Sequence, residues 1–355
     1  MDRKQLDQFL ADSSMTIMEA MQKIDSNSKG ILFILSDDEK LIGTITDGDI
    51  RRAIIRTGDL HVRIADIMNP DPKVVAQKDR QTAHSLLRKF QLRAIAVVDK
   101  DRRLVDVVFD LDTDLSSEKK DSLKGVPVVI MAGGKGTRLY PFTKILPKPL
   151  IPIGDVPILE RIMDRFCGYG ADEFYISVNY RKNMIKSYLA EKQDYRVLFI
   201  EEEQPLGTAG SLKLLAGRIH KPFFVTNCDI LIRADYGKVY DHHVRSGNMA
   251  TIISALKNIE LPYGVVESNG GGNVSAIREK PKMSYFINTG MYVLDPQCLE
   301  WIPEGPVFHM TDLVEKLLRE GRGIGMYPVS EDSFLDMGEW EELQRMEHKL
   351  RQSSG

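Results

Sequence analysis

The sequence predicts an α/β protein in two parts: a smaller α/β module, then a larger Rossmann-like domain with a mixed, mostly parallel sheet. Three observations carry this. From residue 126 onward, short β-branched runs alternate with amphipathic helical stretches. That is the rhythm of βαβ units, which place ligands at the carboxyl ends of their strands. The first third holds an internal repeat, and paired repeats bury their apolar faces against each other. Between the two lies DLDTDLSSEKKDSLKG, residues 110–125, polar and short of apolar anchors. The expected boundaries are 1–115 for the module, 116–125 for the linker and 126–355 for the larger domain.

The repeat reads helix, strand, turn, strand. Residues 17–24 form an amphipathic helix, ILFIL at 31–35 a strand, SDDEK a turn and LIGTIT at 41–46 a second strand. A helix at 82–90, AIAVV at 94–98, a turn at 99–103 and LVDVVF at 104–109 repeat that order, and the first copy adds a helix through 50–56.

The larger domain is organised around residues 128–153, VVIMAGGKGTRLYPFTKILPKPLIPI. Val128, Val129 and Ile130 read as a buried strand. Gly133, Gly134 and Gly136 then let the backbone approach a ligand and turn its N–H groups toward an anion. Arg138 and Lys144 add positive charge. Lys148, between Pro147 and Pro149, is expected on stiff, extended backbone. Together these features suggest a polyphosphate site. It is neither a P-loop, whose Gly-Lys-Ser/Thr spacing is missing, nor a dinucleotide fingerprint, since Leu139 stands where the third glycine of G-x-G-x-x-G belongs.

Beyond this stretch, Ile158, Leu159, Ile162, Met163 and Phe166 make a helical stripe ended by Gly168 and Gly170. Strands are expected at 174–178, 195–200, 223–226, 251–255 and 291–294, with a glycine hairpin at 269–273. The strand at 223–226 runs into Asp229, a carboxylate at a strand's carboxyl end and a natural Mg²⁺ ligand beside a phosphate loop. His242, His243 and His309 lack metal spacing and read as surface or structural groups. Asp312 and Glu315 are placed to cap the helix behind His309 as a box. Residues 339–351 read as one charged helix.

These motifs resemble the sugar nucleotidyltransferase family, the nucleoside-diphosphate-sugar pyrophosphorylases. Their pattern G-G-x-G-T-R-L, Pro, P-K-P is matched at Gly133, Gly134, Gly136, Thr137, Arg138, Leu139, Pro141 and Pro147 through Pro149. The resemblance implies Mg²⁺-dependent transfer of a nucleotidyl group from an NTP to a sugar 1-phosphate, giving NDP-sugar and pyrophosphate. It assigns nucleotide binding to Ala132, Gly133, Gly134, Gly136, Thr137, Leu206, Gly207 and Thr208. Arg138 would stabilise the leaving pyrophosphate, Lys148 would neutralise the reacting phosphates, and Asp229 and Asp336 would hold Mg²⁺. Gly264, Glu279, Lys280, Asn288 and Thr289 would build the sugar-phosphate pocket. Cys228 stands where many relatives carry glycine.

The LGTAG form at 206–210 resembles the guanylyltransferase branch, which favours GTP, with UTP or dTTP as alternatives. Within that branch the chain resembles the CBS-containing guanylyltransferases of bacterial nonulosonic (legionaminic) acid pathways, which act on glucosamine 1-phosphate; mannose 1-phosphate is the alternative sugar. The first third resembles a tandem CBS-domain pair, best at Gly43 through Arg52. By that resemblance Thr46 and Asp49 would hold an adenine or guanine nucleotide effector. The second copy departs from the pattern: Phe109 and Asp106 stand opposite Thr46 and Gly43, and Asp112 opposite Asp49. A reading of another class is a nucleotide sensor whose transferase domain is inactive.

Composition narrows the rest. A net charge of -3 offers no general attraction to nucleic acid or anionic membrane. No apolar run approaches a membrane span, and the first ten residues lack a signal-peptide core. Cys167, Cys228 and Cys298 are odd in number and far apart, without zinc or disulfide spacing. A cytoplasmic homo-oligomer is the expectation.

Overall fold

The internal repeat becomes two matching three-stranded sheets. In the first, β1 (Leu10–Asp12) pairs parallel with β2 (Ile31–Leu35), which pairs antiparallel with β3 (Leu41–Thr46). In the second, β4 (Val74–Ala76), β5 (Ala94–Val98) and β6 (Leu104–Phe109) repeat those directions. Even the irregularity repeats, with a register shift at Ile34/Leu35 in one sheet and Val97/Val98 in the other. The three-residue strands β1 and β4 are too short to show a period and are missing from the sequence reading. Phe33 and Leu41 of one copy share a buried cluster with Ala96 and Val107 of the other, and the Phe9 and Phe109 rings stand 4.8 Å apart. The expected burial of face against face is therefore present.

This is a computed structural model, and it describes residues 6–338 other than 28, 91, 110–120, 193, 270 and 306. It divides into two compact units, Met1–Glu118 and Lys119–Gly355. Most of the expected linker, Asp112 and the helix expected at 339–351 lie outside the described residues.

The second unit is built on a seven-stranded sheet. Its strands are β7 (Pro127–Met131), β10 (Glu173–Val178), β11 (Arg196–Glu201), β12 (Phe223–Asn227), β14 (Ala250–Glu260), β17 (Lys282–Leu294) and β18 (Ile324–Val329), in the order β11-β10-β7-β12-β17-β14-β18. The pairs are parallel except those of β17, which runs antiparallel to both β12 and β14. Both faces are covered, which explains the unbroken apolar run of β7. Val128 and Ile130 face one core with Phe174 and Phe224, while Val129 faces the other with Tyr175 and Val225. Helix Ile158–Cys167 supplies Phe166, fully buried, 5.1 Å from the Phe224 ring and 4.5 Å from that of Tyr236.

Three two-stranded ribbons complete the unit. β8 (Pro152–Ile153) pairs with β9 (Val156–Pro157), and β15 (Val265–Ser268) with β16 (Val274–Arg278), the expected glycine hairpin. β13 (Ile230–Ile232) pairs antiparallel with β19 (Phe334–Asp336), setting Ile230 opposite Asp336. Among the described residues, no helix is long and apolar enough to cross a membrane.

His243 lies on helix Tyr236–Ser246, only 2% exposed, its Nδ1 2.9 Å from Thr251 Oγ1. Burial pushes its pKa down from 6.5 to about 4. The folded protein therefore resists a proton that the unfolded chain accepts. Stability is full above the unfolded value and declines as pH falls from 6.5 toward 4, by up to roughly 3 kcal/mol. Urea titrations across this range should show that loss, and His243→Gln should lack its share of it. An identical pH profile in the variant would contradict the assignment.

Candidate active site

β10, β7 and β12 are parallel neighbours, so their carboxyl ends open on one edge: Met131 sits opposite Ser177 on one side and Asn227 on the other. The segments that leave these ends carry the site. Ala132 continues from β7, its N–H donating to the Ser177 carbonyl at 2.9 Å. Gly133 and Gly134 follow, and Gly136 takes φ +64. A Cβ at Gly136 would lie 2.9 Å from Thr143 Cγ2 and 3.1 Å from Lys148 Cβ, so only glycine fits the turn. Thr137 and Arg138 open a 3-10 turn and are exposed.

Lys148 departs from expectation. Pro147 is extended, but Lys148 opens a 3-10 turn, Lys148–Leu150, with Pro149 in its first positions. Proline is tolerated there because its missing N–H would have no partner anyway. The turn buries Pro149 and Leu150 and carries Lys148 inward to 8% exposure. Its Nζ forms an ion pair with Asp229 Oδ2.

Asp229 follows β12 and Asp336 ends β19; the β13–β19 ribbon brings them together. The Met337 N–H donates to the Asp229 carbonyl at 2.8 Å, and the Gly338 N–H to Asp336 Oδ1 at 2.7 Å. Burial and then the charge of Asp229 push the Asp336 carboxyl above its ordinary pKa, against the pull of the Gly338 N–H, Lys148 and Arg138. Arg138, Lys148, Asp229 and Asp336 thus share one electrostatic neighbourhood. Cys228 is buried beside them, its thiol pushed up to about 12, first by burial and then by Asp229. It stays neutral and supplies no thiolate.

The Leu206–Gly210 segment opens a helical turn, Gly207–Gly210, that continues as a 3-10 stretch, Ser211–Leu215. It is clamped to Phe308. The Ala209 and Gly210 N–H groups both donate to the Phe308 carbonyl at 3.0 Å, and Phe308 N–H donates to the Leu206 carbonyl at 2.9 Å. Gly207 has φ +82, and a Cβ there would meet the Phe308 carbonyl oxygen at 2.5 Å. Thr208 Oγ1 accepts the Met310 N–H at 2.9 Å.

One residue that sequence reasoning missed stands between the two loops. Glu202, 6% exposed, accepts the Leu206 N–H on Oε2 at 3.0 Å and the Ser177 hydroxyl on Oε1. A Cβ on Gly133 would lie 3.1 Å from Oε1. The run Glu201-Glu202-Glu203 hid it, because burial of the middle carboxylate is visible only in the fold.

On the third side, the hairpin brings Gly264 against Glu279, whose Oε2 would lie 2.9 Å from a Gly264 Cβ. Lys280 follows in the left-handed region, φ +44. Asn288 is exposed, donating to Tyr292 Oη at 2.6 Å and accepting the Gly290 N–H at 3.0 Å. Thr289 faces inward, 3% exposed, with its hydroxyl donated to the Ile253 carbonyl.

In the first unit, Thr46 and Asp49 cap helix Asp47–Thr57. Asp49 Oδ2 takes the Thr46 hydroxyl at 2.6 Å and the Thr46 N–H at 2.9 Å, while Oδ1 pairs with Arg52 at 2.5 Å. In the second copy Asp106, which stands opposite Gly43 rather than Thr46 or Asp49, is buried and paired with Arg80 Nη2 at 2.6 Å.

Comparison with known proteins agrees with this architecture. The chain matches the nucleotidyl transferase family over residues 127–353 and the CBS domain family over residues 7–56. It is 33% identical over 204 residues to a mannose-1-phosphate guanyltransferase of Emericella nidulans, covering 55% of this chain and 56% of that one. It is 32% identical over 234 residues to a UTP–glucose-1-phosphate uridylyltransferase of Synechocystis, covering 59% of each. The chain therefore spans little more than half the length of these relatives. Among solved structures it is similar to HddC from Yersinia pseudotuberculosis, at a TM-score of 0.51 and 27% identity over 63% of this chain and 99% of that one. HddC has also been crystallised with GMP-PN.

The raised pKa of Asp336 has a stability consequence. Between the ordinary carboxyl value and its raised one, the folded protein holds a proton that the unfolded chain has lost. Stability therefore falls as pH rises through that window and is level above it. In metal-free buffer at pH 7, Asp336→Asn should raise the melting temperature by a few degrees and flatten the dependence above pH 4. A lower melting temperature would contradict the crowding of the two carboxylates.

Proposed function

Since the chain belongs to the nucleotidyl transferase family, we propose that it transfers a nucleotidyl group from GTP to a hexose 1-phosphate, releasing pyrophosphate. The observation that carries this is the convergence of Arg138, Lys148, Asp229 and Asp336 at the carboxyl edge of the sheet, beside the glycine loop. A sugar-phosphate oxygen attacks the α-phosphorus, one P–O bond forms, the bond to the β-phosphate breaks, and pyrophosphate departs. No protein nucleophile takes part, and catalysis is positioning plus neutralisation of charge. The N–H groups of residues 133–137 hold the triphosphate, with Ala132 anchoring the loop to Ser177; Arg138 steadies the departing pyrophosphate, and Lys148 neutralises the α-phosphate as sugar phosphate approaches. Glu279, Lys280 and Asn288 take the sugar phosphate, with Gly264 leaving room and Thr289 fixing the strand from within.

Asp229 and Asp336 suit Mg²⁺, which binds through one or two carboxylates completed by substrate phosphates. Among the described residues no group of three or more His, Cys, Asp or Glu is arranged to hold a metal alone. The ammonium of Lys148 already acts as a stand-in cation on Asp229. When bound, the metal supplies charge neutralisation between nucleotide and sugar phosphate.

Glu202 supports guanine. Each of its oxygens accepts one hydrogen bond and keeps capacity for another. Guanine offers two adjacent donors, N1–H and N2–H, which a carboxylate matches. Uracil and thymine offer one N–H between two carbonyls that a carboxylate repels. The sugar has two candidates. Relatives at 33% identity are mannose-1-phosphate guanyltransferases, whereas the CBS-bearing arrangement resembles enzymes acting on glucosamine 1-phosphate. In the first unit, an adenine or guanine nucleotide effector would have to take Thr46 and Asp49 from their helix cap.

Pyrophosphate release should be strongest with GTP and one of these two sugar phosphates in Mg²⁺. Asp229→Ala should lower turnover by about a hundredfold or more while leaving the melting profile of the first unit unchanged. Glu202→Gln should narrow the preference for GTP over UTP by about tenfold. No pyrophosphate from any pair, in folded protein, would favour the nucleotide-sensor reading instead.

A further inference from the structure

Arg181 is one of four non-glycine residues with positive φ among the described residues, at φ +52 and ψ +32, just before helix Lys182–Ala190. An arginine gains nothing locally from that conformation, which glycine adopts without steric penalty. Its guanidinium shows what the conformation achieves. Nε donates to the Tyr180 hydroxyl at 3.0 Å, and Nη2 donates to the Lys144 carbonyl. The guanidinium also lies over the Tyr180 ring, 5.4 Å from its centroid. The Tyr180 hydroxyl in turn donates to the Thr143 carbonyl at 3.0 Å. Two backbone carbonyls of the 142–145 segment are thereby tied to the end of β10.

Thr143 passes this restraint on. It is fully buried, and its hydroxyl donates to the Gly136 carbonyl at 2.8 Å. Its methyl fills the space where a Gly136 Cβ would stand, and Lys148 packs on the same glycine. Gly136 is the left-handed residue of the loop that precedes Arg138. Its conformation decides where the neighbouring N–H groups point. The Gly136 carbonyl also accepts the Leu139 N–H at 3.0 Å within its own turn, so the Thr143 hydroxyl is the bond that ties it to a second segment.

We propose that Arg181, Tyr180 and Thr143 form a strap that positions the phosphate-binding glycine loop, so that they control nucleotide affinity without touching the nucleotide. This rests on the reading of residues 133–137 as the triphosphate cradle. It also accounts for a strained arginine on an otherwise ordinary helix start.

Strain and positioning separate in one variant. Arg181→Gly relieves the left-handed conformation but deletes the buckle. The melting temperature should hold or rise, while the Kd for GTP, measured calorimetrically with Mg²⁺ and without sugar phosphate, should weaken about tenfold, the effect of losing one positioning hydrogen bond. Thr143→Val should weaken GTP binding by a similar factor, and Thr143→Ser should restore it. In all three the KM for sugar phosphate should stay within twofold of wild type. Amide hydrogen exchange of the peptide spanning 133–148 should accelerate in Arg181→Gly and Thr143→Val. Unchanged GTP affinity, or unchanged exchange in that peptide, would overturn the proposal. Failure of the wild type to bind any NTP would overturn the nucleotide reading itself, a result distinguishable because the strap is then intact and exchange still reports on it.

Discussion

Two carboxylates and two cations must share one small, partly buried space at the edge of the sheet. Asp229 and Asp336 stand 107 residues apart in the chain, and the charge of Asp229 disfavours ionisation of Asp336. Burying such a pair is unfavourable unless positive charge accompanies it. Lys148 and Arg138 supply that charge from the glycine-loop segment. The ion pair of Lys148 and Asp229 is therefore the hinge between the two halves of the site. One half is built on β7 and carries the glycine loop; the other is built on the β13–β19 ribbon and carries the second carboxylate.

The scaffold explains why this balance holds. β7 is central, with β10 and β12 beside it, and its side chains alternate between two apolar cores. Its carboxyl end is accordingly one of the least movable points in the unit. The loops that must adapt to ligand are tied to it by a few polar contacts: Glu202 joins Ser177 to Leu206, Phe308 clamps the helical turn at 207–210, and Thr143 holds Gly136. The antiparallel insertion of β17 matters for the same reason. It pairs Met291 with Thr226 of β12 and runs Asn288 alongside Ser254 of β14, so Asn288 and Thr289 sit three and two residues before the stretch that pairs with β12.

Local chemistry was legible in the sequence wherever it needed only neighbours in the chain. Val128 through Arg138 announced a strand and an anion-binding loop, because β-branched residues followed by glycines have few other uses. Asp229 was legible for the same reason, as a carboxylate closing an apolar strand. The partnership of Asp229 with Asp336 was not, since only the ribbon pairing Ile230 with Asp336 creates it. Lys148 was half legible: its importance followed from the flanking prolines, but its conformation followed from the burial of Leu150. Glu202 is the middle of three consecutive acids, and only the fold, which buries it just past β11, singles it out. Thr46 and Asp49 show the opposite difficulty. The spacing Thr-x-x-Asp before an apolar run describes a capping box as well as a ligand clamp, and the folded chain uses it as the cap.

The central claim is that Asp229 and Asp336 form one cation site in which Lys148 is the resident counter-charge. Electron paramagnetic resonance of Mn²⁺, titrated without nucleotide, tests it most directly. Wild type should bind weakly because Lys148 competes for Asp229. Lys148→Met should bind several-fold more tightly, and adding Asp336→Asn to that variant should abolish the gain. Mn²⁺ affinity that is the same in wild type, Lys148→Met and the double variant would contradict the account.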